Sequence, residues 1–462
     1  MPWTETAPGL FYRPLGENET FIKLVGDPGH ALKREHWAIN FTATIRPLGA
    51  LADSYRTEAL PALIRRAWIH LRFCHPSLAA KPDESNTALI YNVPSSPQDL
   101  QNWALQTFTT VPAAVSAHEV IATLPPHPYA TLYFIPRSGE LLGHTAHWRT
   151  DGIGSMMLLD ALLGLLTQPN LSDDPFSALP WGSETERLAP SVEEAASIPA
   201  VVSSAQKAEA DKALASFSLA AGAVGIPYNG DKMSVPAGTR SARTILSVPA
   251  TAAVVKATKA RGLTVTAAVH ASIAGAHFRL ASPENRGRHY ASTIRVNLRP
   301  YLSEPYSTPA YAAGLYTTGW MVKVNSDIDW NGRAKLYREE YGRGLSTDYM
   351  AGHQEYANQL CTLIRNLPQG GEPPSDVDIS SIGVAENLLS RIYGTESYGL
   401  EVDQVSIGTE ILTRQGVCFV WTFRDQLNLS VVYNEAFHSS QQVQQFVETV
   451  KYILLKELGV TE

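Results

Sequence analysis

His147-Trp148-Arg149-Thr150-Asp151-Gly152 decides how the rest of the chain is read, because it stands where the texture of the sequence changes. Before it, residues 131–135 and 141–147 read as two strands, joined through the turn Pro136-Arg137-Ser138-Gly139-Glu140 as a hairpin. After it, residues 153–166 are almost entirely apolar apart from Ser155 and Asp160. That run is too short to span a membrane and reads as a buried helix. A histidine at such a junction can project into a cleft while the sheet holds its backbone. Imidazole titrates near neutrality and is the usual base for drawing a proton from a hydroxyl or amine. Asp151 can pair with an arginine and hold the turn, and Gly152 permits a tight bend into the helix. The competing reading has His147 hydrogen-bonded inside the sheet and Asp151 as a plain N-cap. The pattern alone is short enough to arise by chance among 13 histidines.

Around this stretch lies a chain of 462 residues, 44% hydrophobic and 18% charged. Globular proteins average about 25% charged residues, so this is the opposite of a disordered composition. A net charge of −7 gives no basic footprint for nucleic acid. Cys74, Cys361 and Cys418 lie far apart with no Cys-x-x-Cys pair, which favours a reducing compartment. Met1-Pro2-Trp3-Thr4-Glu5-Thr6 lacks the basic stretch and apolar core of a signal peptide, so the expected location is the cytoplasm, with no membrane span.

Several catalytic signatures are missing from the sequence. There is no Gly-x-Ser-x-Gly elbow, no P-loop and no Gly-x-Gly-x-x-Gly. His118-Glu119 is not followed by the second histidine of a zinc protease. His144 and His147 would face opposite sides of a sheet, so no metal site is expected.

Residues 37–45 read as a strand, and from Glu58 to Pro76 the apolar spacing predicts a helix. From Thr167 to about Lys207 the chain is rich in Pro, Ser, Asp, Glu and Ala, with some helix around 191–196. The second half predicts a strand over 241–248, helices over 251–261 and 266–280, and strands over 290–298, 316–324, 416–423 and 427–433. It closes with an amphipathic helix from Ser439. The expected organisation is an N-terminal lobe over 1–180, a linker or crossover over 181–240 and a C-terminal lobe over 241–462.

The motif, its placement a third of the way along and the two-lobe layout resemble the acyl-CoA-dependent acyltransferases that share a fold with peptide-synthetase condensation domains. The plant BAHD enzymes, chloramphenicol acetyltransferase and the carnitine acyltransferases belong to this superfamily. Gly262-Leu263-Thr264-Val265-Thr266-Ala267-Ala268 resembles its second-lobe helix start. Arg295-Val296-Asn297-Leu298-Arg299-Pro300 resembles its strand end, the segment with Gly314 the one that follows, and Ser380-Ser381-Ile382-Gly383-Val384 its Ser-rich strand. Leu429 to Asn434 and the final helix resemble its usual ending. Trp181-Gly182-Ser183-Glu184, Leu188-Ala189-Pro190, Pro227-Tyr228 and Pro236-Ala237-Gly238-Thr239-Arg240 resemble the fungal branch typified by trichothecene 15-O-acetyltransferase. Two departures stand out. The Asp-Phe-Gly-Trp-Gly string of the plant enzymes is missing, and Ala146 stands where many condensation domains have a second histidine.

The resemblance implies an α/β protein, with α+β two-layer sandwich lobes of the chloramphenicol-acetyltransferase kind and a channel between them. It implies His147 as general base, Asp151 in a structural role, Gly152 in the turn and Arg299 as the partner of Asp151, with Arg295 the runner-up. Ser380 and Ser381 become donors to the oxyanion or the pantetheine arm, against the plainer reading of hydroxyls satisfied at a strand end. Lys256 and Lys259 could meet coenzyme A phosphates, although a solvated basic face is the simpler reading. Trp148 and Trp421 read as core before channel lining. No permanently bound cofactor is implied. Acyl-CoA, acetyl-CoA first, is the cosubstrate, a terpenoid or polyketide alcohol the acceptor, and a monomer the expected state. The alternatives are a carrier-protein-bound donor, or a fold retasked as a cyclase, lyase or binding protein.

Overall fold

The sheets form because apolar side chains alternate along the strands and have two cores to enter. The computed structural model describes residues 2–56, 59–231, 233–367 and 373–462. A six-stranded sheet runs in the order Ile392–Gly394, Tyr398–Thr409, Ile39–Gly49, Glu140–Thr145, Thr131–Ile135, Phe108–Thr110. A four-stranded sheet runs Val377–Val384, Gly416–Phe423, Gln426–Asn434, Thr239–Ile245. Helices Leu60–Cys74 and Gly152–Leu166 contribute to the core of the first sheet. Helices Val265–Leu280 and Ser440–Leu458 contribute to the core of the second. The mixed α/β, two-lobed architecture expected from the sequence is borne out. Glu58, the expected start of the first long helix, lies outside the described residues.

Strand Gly416–Phe423 shows why the lobes hold together. Val417, Phe419, Trp421 and Phe423 enter the core of the first lobe, while Cys418 and Val420 enter that of the second. Successive strand side chains point to opposite faces, so one strand seals both cores. Trp421 is therefore core, at 1% exposure.

The second half of the sequence also completes the sheet of the first. Strand Tyr398–Thr409 pairs antiparallel with Ile39–Gly49, setting Gly408 opposite Asn40 and Ser406 opposite Thr42. The six-stranded sheet thus contains chain from beyond residue 241, and 392–409 is a crossover. Segment 181–240 is a strap tied to both halves. Trp3 Nε1 donates to Ala189 O at 2.9 Å, Tyr91 Oη donates to Glu184 Oε1 at 2.8 Å, and Val224 N donates to His289 O at 2.7 Å. Strand Thr239–Ile245 begins before the 241 boundary.

Candidate active site

The hairpin Thr131–Ile135 and Glu140–Thr145 delivers the chain to Ala146, after which His147 to Asp151 form an irregular turn into the helix Gly152–Leu166. Three side chains rivet the turn. Arg149 is buried, with Nη1 donating to Thr145 Oγ1 at 2.7 Å, Nη2 to Ala80 O at 2.9 Å and Pro128 O at 2.8 Å, and Nε to Ser77 O at 3.1 Å. Burial lowers its pKa to about 10. Its guanidinium lies 4.3 Å from the Trp148 ring, itself packed among Ile22, Leu89, Ala146 and Leu315. Trp148 is core as well. Thr150 Oγ1 donates to Ala312 O at 2.7 Å, tying the turn to the second half of the chain.

Asp151 performs both jobs that the sequence left open. Its Oδ1 caps the helix by accepting from Gly154 N at 2.9 Å. Arg299 Nη1 donates to both carboxylate oxygens, at 2.8 and 2.9 Å, with each side chain at most 5% exposed. Tyr316 N donates to Oδ2 at 2.8 Å. The guanidinium also donates to Gly314 O and sits over the Tyr316 ring. Arg295, the runner-up, instead pairs with Asp378 at 2.8 Å and donates to Ile379 O.

The glycine that this knot requires is Gly154. A Cβ there would lie 2.2 Å from Ala312 O and 2.7 Å from Arg299 Nη2. Gly152 is not among the glycines with positive φ, and a Cβ there would stand 3.2 Å from Ile407 Cδ1 and 3.7 Å from Ile382 Cγ2. The bend is made without left-handed backbone at Gly152.

His147 is half-buried, and its Nδ1 is buried without a well-aligned hydrogen bond. Burial, the largest influence, holds the imidazole pKa below its usual value. Backbone acceptors at His147 and Thr150 and the Asp151 carboxylate oppose that shift, while Arg295 adds to it. The ring is neutral at neutral pH and able to accept a proton. His144 is occupied elsewhere: its Nδ1 lies 2.9 Å from Asn40 Oδ1.

Ser380 and Ser381 lie half-buried on the strand Val377–Val384, and Ile382 of that strand faces Gly152. Ser381 Oγ is 3.1 Å from Thr266 Oγ1, at the start of the helix Val265–Leu280. Lys256 and Lys259 are exposed on the helix Val248–Ala260 and form no ion pair among the described residues. Asp27, His30 and Glu35 bring ligand-type atoms within 4.8 Å of one another, but His30 already pairs with Glu35 and Lys23 with Asp27. Among the described residues, no helix is long and apolar enough to cross a membrane.

Arg149, Thr150, Gly154 and Tyr316 were not singled out from the sequence. Thr150 and Tyr316 act through backbone groups distant in the chain, which no spacing reveals. Gly154, two positions into the helix, carried a readable signal as a poor helix former at a buried start.

His147 stands at a strand-to-helix junction with Asp151 locked onto Arg299 from the second half of the chain, the arrangement that the resemblance to the acyltransferases of the chloramphenicol-acetyltransferase fold implies. Comparison agrees. The chain superposes on trichothecene 15-O-acetyltransferase TRI3 of Fusarium sporotrichioides with a TM-score of 0.81, at 18% identity over 98% of this chain and 97% of that one. It superposes on a condensation domain of the calcium-dependent antibiotic synthetase with a TM-score of 0.61, at 16% identity over 96% and 95%. In sequence it is 44% identical to acetyltransferase pigO of Monascus ruber over 100% of this chain and 99% of that one. It is 30% identical to O-acetyltransferase pigM of the same organism, over 100% and 88%. An azaphilone biosynthesis cluster protein M of Aspergillus terreus is 31% identical over 68% and 76%. No family model matches the chain. The chain belongs to the family of fungal acetyltransferases that contains pigO and pigM, and is an acetyltransferase-type enzyme acting on a small-molecule acceptor.

Proposed function

We propose that the chain moves an acetyl group from acetyl-coenzyme A to a hydroxyl of a small secondary metabolite, with His147 as the acid–base group. The observation that carries this is a half-buried His147 at a strand-to-helix junction, whose neighbouring carboxylate is committed to Arg299 rather than to the imidazole. The ring takes the hydroxyl proton as the oxygen attacks the thioester carbonyl. The carbon–sulfur bond then breaks, and the imidazolium returns the proton to the departing thiolate. No acyl-enzyme is required, because one base between two aligned substrates supplies both proximity and proton transfer.

Ser380 and Ser381 are the proposed donors to the tetrahedral oxyanion or the pantetheine arm. Lys256 and Lys259, exposed and with no ion pair among the described residues, are proposed for the phosphates. The relative named for an azaphilone cluster makes an azaphilone-type polyketide alcohol the first acceptor to try. His147 and its riveting partners come from one chain, so a monomer suffices for the proposed chemistry.

The test follows free thiol release from acetyl-CoA with a panel of alcohols, for wild type and His147→Gln. General-base removal is expected to lower the rate about 10²–10⁴-fold. Equal release by both proteins, or none above background from wild type with any alcohol, overturns the proposal.

A further inference from the structure

Away from the His147 turn, one loop gathers side chains of a different chemistry. The helix Glu17–Gly26 runs into a short 3₁₀ helix, Asp27–Leu32, and the chain reverses at Lys33, whose φ of 56° is left-handed. Arg34 N then donates to Gly29 O at 3.1 Å, and His36 N to Gly26 O at 3.2 Å. This backbone clasp returns Glu35 to the place where the loop began. Its side chain packs on Gly26, where a Cβ would stand 3.4 Å from Glu35 Cγ. Asp27, His30 and Glu35 are brought together by that reversal and not by their spacing in the sequence.

The two carboxylates are already aimed at the imidazole. Asp27 Oδ2 is held from behind by Asn86 Nδ2 at 2.6 Å and Lys23 Nζ at 3.2 Å. Asp27 Oδ1 is buried, has no hydrogen bond among the described residues and lies 3.9 Å from His30 Nε2. Glu35, 7% exposed, brings Oε2 to 3.4 Å from the same nitrogen. Outer partners of this kind orient metal ligands. The His30 side chain is 45% exposed, which gives an ion a path from solvent. Two carboxylate oxygens facing one ring nitrogen need positive charge between them. A protonated ring supplies it, and so does a cation bound to all three groups. Around a tetrahedral ion with bonds of about 2.0–2.2 Å, neighbouring ligand atoms stand about 3.3–3.6 Å apart. The His30–Glu35 separation already meets that value, and the His30–Asp27 separation exceeds it by a few tenths of an ångström. All three atoms lie within 4.8 Å of one another. An imidazole beside two carboxylates suits zinc, cobalt or nickel, whereas magnesium and calcium take oxygen ligands.

We propose that Asp27, His30 and Glu35 form an accessory site for a zinc-class divalent ion, with water completing its coordination. The site stands apart from the transfer chemistry. Its link toward the His147 turn is Lys23, whose ammonium sits 5.3 Å from the centre of the Trp148 ring. A bound ion clamps the loop in the shape that leads the chain into the strand Ile39–Gly49.

The test titrates zinc chloride into the full chain, free of any histidine tag, by calorimetry, with magnesium chloride as the comparison. Wild type is expected to bind one zinc ion and no magnesium. Loss of a partner that only orients a ligand costs about 10–100-fold in metal affinity. Asn86→Ala is therefore expected to weaken zinc binding within that range, and His30→Ala and Glu35→Gln by at least as much. Zinc should also raise the melting temperature of wild type and leave that of His30→Ala unchanged. His30 is exposed, so its replacement leaves the fold intact, and Glu35→Gln repeats the test at a second ligand. Zinc bound equally by wild type and both ligand variants overturns the site, as does a wild type that binds no zinc. Magnesium bound as tightly as zinc overturns the assignment to a zinc-class ion. These readouts do not depend on acetyl transfer, so the site and the transferase reading fail or stand separately.

Discussion

Asp151→Asn isolates the charge of the lobe-spanning knot from its shape. The substitution retains an oxygen for Gly154 N but removes the carboxylate facing Arg299, which is 3% exposed and has no other ion-pair partner among the described residues. Deleting one member of a buried pair typically costs about 3–5 kcal/mol, because the other charge is stranded. Asp151→Ala also loses the cap and is expected to cost about 1 kcal/mol more. In the double variant Asp151→Asn/Arg299→Met no charge is stranded, so its loss should fall short of the sum of the single losses by on the order of 2 kcal/mol. Urea unfolding followed by tryptophan fluorescence gives each value. Thiol release per folded molecule should fall in step, since the turn carries His147. An Asp151→Asn loss below about 1 kcal/mol, or strict additivity in the double variant, would refute the reasoning that the buried charge pair holds the turn.

Because burial lowers the pKa of His147, the acidic limb of kcat/KM should lie below pH 6.5, with the rate flat above it; a limb centred at or above that value would contradict the geometry. Gly154→Ala is expected to destabilise by about 1–3 kcal/mol through overpacking. Gly164→Ala, where a Cβ meets nothing within 4 Å, should stabilise by about 0.5–1 kcal/mol, and thermal melts distinguish the two. Burial brings His353 to about 4, and neither of its ring nitrogens has a hydrogen-bond partner among the described residues. The unfolded chain therefore binds the extra proton between about pH 6.5 and 4, and stability falls as pH drops through that window. His353→Phe should escape this loss, gaining up to about 3 kcal/mol on wild type by pH 4, as urea unfolding at the two pH values would show.

Much of the second lobe was legible because its elements are locally consistent. The expected strand over 416–423 is the strand Gly416–Phe423, and the helix over 266–280 is Val265–Leu280. Strand Tyr398–Thr409 was not read. Its register shifts between Val402 and Gln404, so the buried positions step from Val402 to Val405 and the period of two is broken. Its partner is also more than three hundred residues away, in Ile39–Gly49, and local pattern carries no information about such pairing. Of the site, His147, Asp151 and Arg299 were named from the motif and the resemblance. Arg149 was passed over because its partners are backbone carbonyls, which every residue offers.

The sequence by itself determined the chemistry available: a titratable imidazole at the end of a hairpin, an apolar helix after it, and a composition without the charge for nucleic acid. These are local properties of residue type and spacing. Tertiary structure decided what surrounds them. It made Asp151 a cap and an ion-pair member at once, because Gly154 N and Arg299 Nη1 converge on the same oxygen. It set a need for glycine at Gly154, where Ala312 O leaves no room for a side chain. It also buried Asn40 Nδ2 with no hydrogen-bond partner among the described residues. Each outcome depends on atoms brought together from distant parts of the chain, and such distances are fixed only when both cores close.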